Sequence, residues 1–142
     1  MSYDLMLANG DLKISNTSDI QVVRDNEKLR QDVLKILMTP IGGNKVNPWY
    51  GSNVNNVIVG GVFDVDFTRD AAREQVRSAL ENLQILQNSQ SRTQVLTAGE
   101  KILSVKDVYI NNNPKDQRVI ELKVEIITGT LTVMTTKFYI RL

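Results

Sequence analysis

Sixteen carboxylates give this chain its main chance of doing chemistry. Asp64, Asp66, Glu74, Glu81 and Glu100 are the candidates for a glycosidase pair, one acid and one base or nucleophile. Glu74 and Glu81 are seven residues apart on one face of a predicted helix. Arg73 and Arg77 beside them would hold both ionised, which suits neither to be a general acid. Gly42-Gly43-Asn44-Lys45 lacks the spaced glycines and the preceding strand of a phosphate-binding loop, and Gly60-Gly61 does no better. Asp64 and Asp66 alternate, but no further acids follow at calcium-loop spacing.

The sequence has no histidine and no cysteine. Disulfides, thiolate metal sites and Ser-His or Cys-His catalysis are therefore excluded, and zinc loses its usual ligands. The 17 Lys and Arg nearly balance the 16 Asp and Glu, so no global field attracts nucleic acid. No apolar run approaches the roughly 20 residues of a membrane span, and the opening MSYDLMLANGDLK lacks the pattern of a secretory leader. The expectation is a non-enzymatic interaction protein with no cofactor, metal, nucleic-acid, membrane or small-molecule partner.

The elements that must position any site read as one α+β domain over residues 1–142: an N-terminal β-hairpin, two main helices and a C-terminal antiparallel three-stranded meander. The hairpin joins Tyr3–Leu7 to Leu12–Ile14 through Asn9-Gly10, a type I′ signal. Asp19–Val23 is either a third strand or a lead-in. With Asp25 as its expected N-cap, a helix follows from about Asn26 to Met38, striped by Leu29, Val33, Ile36 and Leu37. Thr39-Pro40 ends it.

The loop from Thr39 to Asn53, rich in Pro, Gly and Asn, carries the one tryptophan, Trp49, beside Tyr50. These aromatics either pin the loop to the body or anchor a partner. A short helix is expected from Asn53 to Phe63, stopping at Gly60-Gly61. A long one, capped by Thr68, runs from Arg69 to about Gln87 with Ala72, Val76, Ala79, Leu80, Leu83 and Leu86 inward. Asn88–Thr97 is a loop or a frayed helix end.

Three strands close the chain: Lys101–Ile110 with Ile102, Val105, Val108 and Ile110 inward, Arg118–Ile127, and Leu131–Leu142, with turns at Asn111–Asp116 and Thr128–Thr130. In the middle strand Ile120, Leu122, Val124 and Ile126 alternate with Glu121, Lys123 and Glu125, the pattern of a half-buried antiparallel strand. A last strand at a sheet edge leaves amides and carbonyls able to recruit another chain.

Residues 5–58 resemble a known family. A short β opening around Gly10-Asp11-Leu12 leads to a helix ending in Leu34-Lys35-Ile36-Leu37. Thr39-Pro40-Ile41-Gly42 follows, then Asn47-Pro48-Trp49-Tyr50-Gly51-Ser52. This is similar to the baseplate wedge family of contractile phage tails, called gene product 25-like, which includes sheath initiators and the related type VI secretion component. The resemblance implies a structural protein of the virion's tail baseplate, present in host cytoplasm during assembly, with sheath, other wedge, and tube or hub proteins as partners. Sheath subunits would dock by strand addition on the C-terminal strands, with Val119, Glu121, Lys123, Val133, Thr135, Lys137 and Tyr139 in contact. Trp49 and Tyr50 would face wedge proteins, together with Glu100 and Lys101. Many members have Glu-Pro-Arg in that last place; here Gly99-Glu100-Lys101-Ile102-Leu103 has no proline. Two alternatives remain, a cytoplasmic regulatory binder of the anti-adaptor type and a murein hydrolase, a label the family sometimes carries.

Overall fold

The computed structural model describes residues 2–60 and 66–141. Asp64, the predicted end of the short helix at Phe63, and Leu142 lie outside the described residues. The chain order is β1 (Asp4–Leu5), β2 (Leu7–Ala8), β3 (Asp11–Leu12), β4 (Val22–Val23), α1 (Asp25–Met38), α2 (Val54–Gly60), α3 (Asp66–Gln90), a 3₁₀ turn (Ala98–Glu100), β5 (Ile102–Asn113), β6 (Asp116–Thr128) and β7 (Val133–Arg141). This is the expected α+β arrangement.

At the N-terminus Leu7 pairs with Leu12 and Ala8 with Asp11. Asn9 (φ 53°) and Gly10 (φ 83°) occupy the two positive-φ positions that a type I′ turn needs. Asp19–Val23 contributes a true strand, because Asp4 pairs with Val23 and Leu5 with Val22. Gln31, buried on α1, ties this unit down. Its Nε2 donates to the Leu5 carbonyl at 2.8 Å and its Oε1 accepts from the Leu7 amide at 2.9 Å.

Asp25 is not the N-cap expected of it. Arg24 occupies that position without a capping bond, while Asp25 Oδ1 accepts from Thr97 Oγ1 at 2.5 Å. Thr68 is likewise no cap. The long helix begins at Asp66, earlier than predicted, and Thr68 is buried within its first turn. The helix also continues to Gln90, which takes in the start of the ambiguous polar stretch; turn residues follow it.

The stripes of α1 and α3 meet the inner faces of the meander in one hydrophobic cluster that includes Leu29, Ile36, Val76, Leu80, Ile110, Ile120, Leu122 and Ile126. β6 is central, and β5 and β7 flank it. The predicted alternation along β6 holds: Ile120, Leu122, Val124 and Ile126 are all buried. Strand β5 buries Ile102, Val108 and Ile110, with Val105 packed against the cluster. Their spacing of three, three and two departs from strict alternation because the β5–β6 register shifts between Ile102 and Ser104 and again between Val105 and Asp107. The predicted Asn111–Asp116 turn tightens, because β5 runs to Asn113 and β6 starts at Asp116.

Candidate functional site

The Thr39–Ser52 loop explains its own sequence. The Thr39 hydroxyl donates to the Lys35 carbonyl at 2.7 Å, and the Ser52 hydroxyl to the Leu37 carbonyl at 2.6 Å. The Ser52 amide donates to the Thr39 carbonyl at 2.8 Å, closing the loop as a parallel bridge between Pro40 and Ser52. Gly51 has φ 129°, and a Cβ there would lie 2.5 Å from the Thr39 oxygen. Threonine, serine and glycine at these places thus turn the chain out of α1 and into α2.

Tyr50 packs against the core cluster, whereas Trp49 is 41% exposed and meets the Tyr50 ring edge-on at 6.4 Å. Tyr50 therefore pins the loop, and Trp49 retains free surface. Beside them Lys35 bonds both Asp4 and Asp32, the latter at 3.1 Å, and Lys28 bonds Asp32 at 2.8 Å. Burial pushes the Asp4 carboxyl up, but the hydrogen bond and charge of Lys35 outweigh it and hold that carboxyl below its ordinary value. The same contacts hold the Lys35 ammonium above its ordinary value against the opposing pull of burial.

Glu100 has an internal role. It is 1% exposed, accepts from the Ser2 hydroxyl at 2.7 Å and from the Thr97 amide at 2.8 Å. The second contact is that of a capping-box glutamate. Gln87 adds to this knot by donating to the Glu100 carbonyl at 2.7 Å and accepting from the Ile102 amide at 2.9 Å. The expectation that the Glu100 side chain faces a partner gives way to burial; Lys101, next to it, is half-buried.

The seven residues expected to meet another chain do share a face. Val119, Glu121 and Lys123 of β6 stand opposite Arg141, Tyr139 and Lys137 of β7, Glu125 stands opposite Thr135, and Ile127 stands opposite Val133. Their side chains lie on the side away from the core, with Val133, Thr135, Lys137 and Tyr139 exposed. Lys123 and Lys137 are directly opposed, a repulsive pair. Carboxylates relieve it: Glu125 holds Lys123 at 3.0 Å, and Glu121 holds Lys137 at 3.5 Å. The Lys123 ammonium also sits 5.0 Å from the Tyr109 ring centre.

β7 has no strand partner on its far side among the described residues. The Thr128 amide donates to the Thr132 carbonyl at 2.9 Å and the Leu131 amide to the Thr128 carbonyl at 2.9 Å, a three-residue hairpin loop with Leu131 (φ 62°) in the left-handed position. From that closing pair outward, hydrogen-bonded and open pairs alternate. The backbone N–H and C=O of Met134, Thr136, Phe138 and Ile140 therefore address β6. Those of Val133, Thr135, Lys137, Tyr139 and Arg141 point to the free edge.

Along this edge runs a cleft of about 410 Å³ between β7 and α1, lined by Thr136–Tyr139, Gln31, Leu34, Met38 and parts of the N-terminal unit. Sequence reasoning missed the cleft because its two walls are about a hundred residues apart in the chain.

The fold has a solved counterpart. A protein of Geobacter sulfurreducens, provisionally named a tail lysozyme, superposes with a TM-score of 0.57 over 82% of this chain and 89% of its own, at 19% identity. At that identity the match establishes a common fold. No protein-family model matches the chain, and no curated protein matches it.

Among the described residues, no helix is long and apolar enough to cross a membrane, and no group of three or more acidic residues is placed to hold a metal ion.

Proposed function

We propose that the chain is a structural component of a contractile tail baseplate, and that sheath subunits dock on it by adding a strand to β7. The observation that carries this reading is the open, regular edge of β7, beside the outward row Val133, Thr135, Lys137 and Tyr139. Strand addition draws its affinity from backbone hydrogen bonds, and side chains at alternate positions add specificity. The shared fold with a protein named for a phage tail supports the location, as does the Thr39–Ser52 motif. Val119, Glu121 and Lys123 would extend the contact across β6, and Trp49, with Lys101, is the surface offered to neighbouring wedge, tube or hub proteins.

Thr135→Pro tests the reading. The Thr135 amide points away from β6, so proline there removes an edge donor and leaves the β6–β7 bonds in place. Baseplates carrying this variant should assemble but fail to start sheath polymerisation. Normal sheaths on them would refute the docking role.

The name of the structural neighbour favours one second reading, a murein hydrolase. Glu74 and Glu81 are exposed on α3 and the Asp66 side chain is 97% exposed, so none lies in an enclosed site, and Glu100, though buried, is taken up by the Ser2 hydroxyl and the Thr97 amide. A zymogram of the purified chain decides: clearing abolished by a single Glu or Asp change would establish hydrolysis.

A further inference from the structure

We infer that the strand received by β7 belongs to a different chain and alternates apolar with acidic residues, the apolar ones entering the cleft against α1. This rests on the reading that β7 takes an added strand, and it specifies what that strand must be.

The two edges of the meander differ. β5 breaks register with β6 at three places, which bends and blunts an edge. β7 keeps nine consecutive pairs with no irregularity. Only β7 therefore offers an unbroken row of outward amides and carbonyls. A strand laid along it has side chains on alternate faces. One set falls over the cleft, where Leu34 and Met38 of α1 are 40% and 46% exposed beside Phe138 of β7, with the Glu27–Arg30 ion pair of α1 also on its wall. Leucine or valine fits there. The other set joins the outward row, and in that row β7 contributes Lys137 and Arg141 and no carboxylate.

That charge pattern argues against a second copy. Two β7 edges pairing with each other would bring two Lys137 and two Arg141 to one seam, with no acid from either strand and only Glu121 of β6, 3.5 Å from its Lys137, to offset them. Lysine on an edge is a common device against self-pairing. An incoming strand with glutamate or aspartate in its outward set would instead meet opposite charge at Lys137 and Arg141, and each such cross-strand pair is favourable.

The test uses the full chain with two short blocked peptides, one of repeating Val-Glu and one of repeating Val-Lys. Binding is followed by NMR, with hydrogen exchange reporting the amides of Thr135, Lys137 and Tyr139. The Val-Glu peptide should protect those amides and bind about ten-fold more tightly than Val-Lys, a preference that shrinks in high salt. Leu34→Gln, at an exposed position that the core does not need, should weaken it. Equal affinity for the two peptides, no binding of Val-Glu, or binding indifferent to both Leu34→Gln and Thr135→Pro would overturn the inference. So would protection of the same amides that rises with protein concentration alone, the signature of self-pairing. Failure here with the chain still found in baseplates removes the strand chemistry and leaves the tail role intact.

Discussion

Replacing Gly51 by alanine tests why the Thr39–Ser52 loop has its sequence. The added methyl would sit 2.5 Å from the Thr39 carbonyl oxygen and 2.9 Å from the Pro40 carbonyl carbon and oxygen. These are backbone atoms, and that Thr39 oxygen already accepts from the Ser52 amide at 2.8 Å. Neither can move without opening the bridge between α1 and α2. The φ of 129° adds strain that L-residues avoid. Strained backbone costs about 1–3 kcal/mol and a forced contact a similar amount, so a loss of about 3 kcal/mol is expected. Unfolding entropy near 2.1 cal/mol/K per residue gives about 0.3 kcal/mol/K for 142 residues, which converts the loss to about 10 °C in Tm. Thermal and urea melts by circular dichroism measure it, with the urea midpoint falling at constant slope. Gly60→Ala is the matched control, since a Cβ there meets nothing within 4 Å. If Gly51→Ala were as stable as Gly60→Ala, the steric account of the loop would be wrong.

Glu100→Ala should destabilise the isolated chain by about 2 kcal/mol, because the Thr97 amide and Ser2 hydroxyl lose a buried acceptor; wild-type stability would return Glu100 to the list of partner contacts. Asp4→Asn should lower stability at neutral pH by about 1 kcal/mol or less, the pair with Lys35 being only partly buried. Because the folded-state pKa of Asp4 lies below its ordinary 3.8, that contribution is full above 3.8 and vanishes as pH falls through the folded value. Urea melts of wild type and variant should therefore converge in acid, and a constant gap would contradict the ion pair. Leu131→Gly should raise stability by about 0.5 kcal/mol, the left-handed position favouring glycine and the lost side chain being 77% exposed; a melt showing a loss would point to an unseen role for Leu131.

Local rules made much of this fold legible. Asn9-Gly10 dictates its turn, and the β6 alternation dictates which face is core, because both depend on neighbours in sequence. The row of seven candidate contact residues follows from that same period of two. Helix boundaries were less legible. Thr68 and Asp25 have good capping chemistry, but burial draws Thr68 into α3 and Thr97 engages Asp25. The burial of Glu100, expected to face a partner, has a local signal in the sequence: Thr97-Ala98-Gly99-Glu100 has capping-box spacing. Gln87 was similarly visible as a polar residue four positions after Leu83 on the buried stripe of α3. No local pattern reveals the cleft between Leu34, Met38 and Phe138, which exists only once α1 lies beside β7.

A cryo-EM map of the intact contractile tail tests the central claim most directly. The chain is expected at the junction of baseplate and sheath, with an extended segment of a sheath subunit hydrogen-bonded to the outward amides of β7. A map that placed the chain elsewhere, or showed it at the baseplate with the β7 edge bare, would contradict the account.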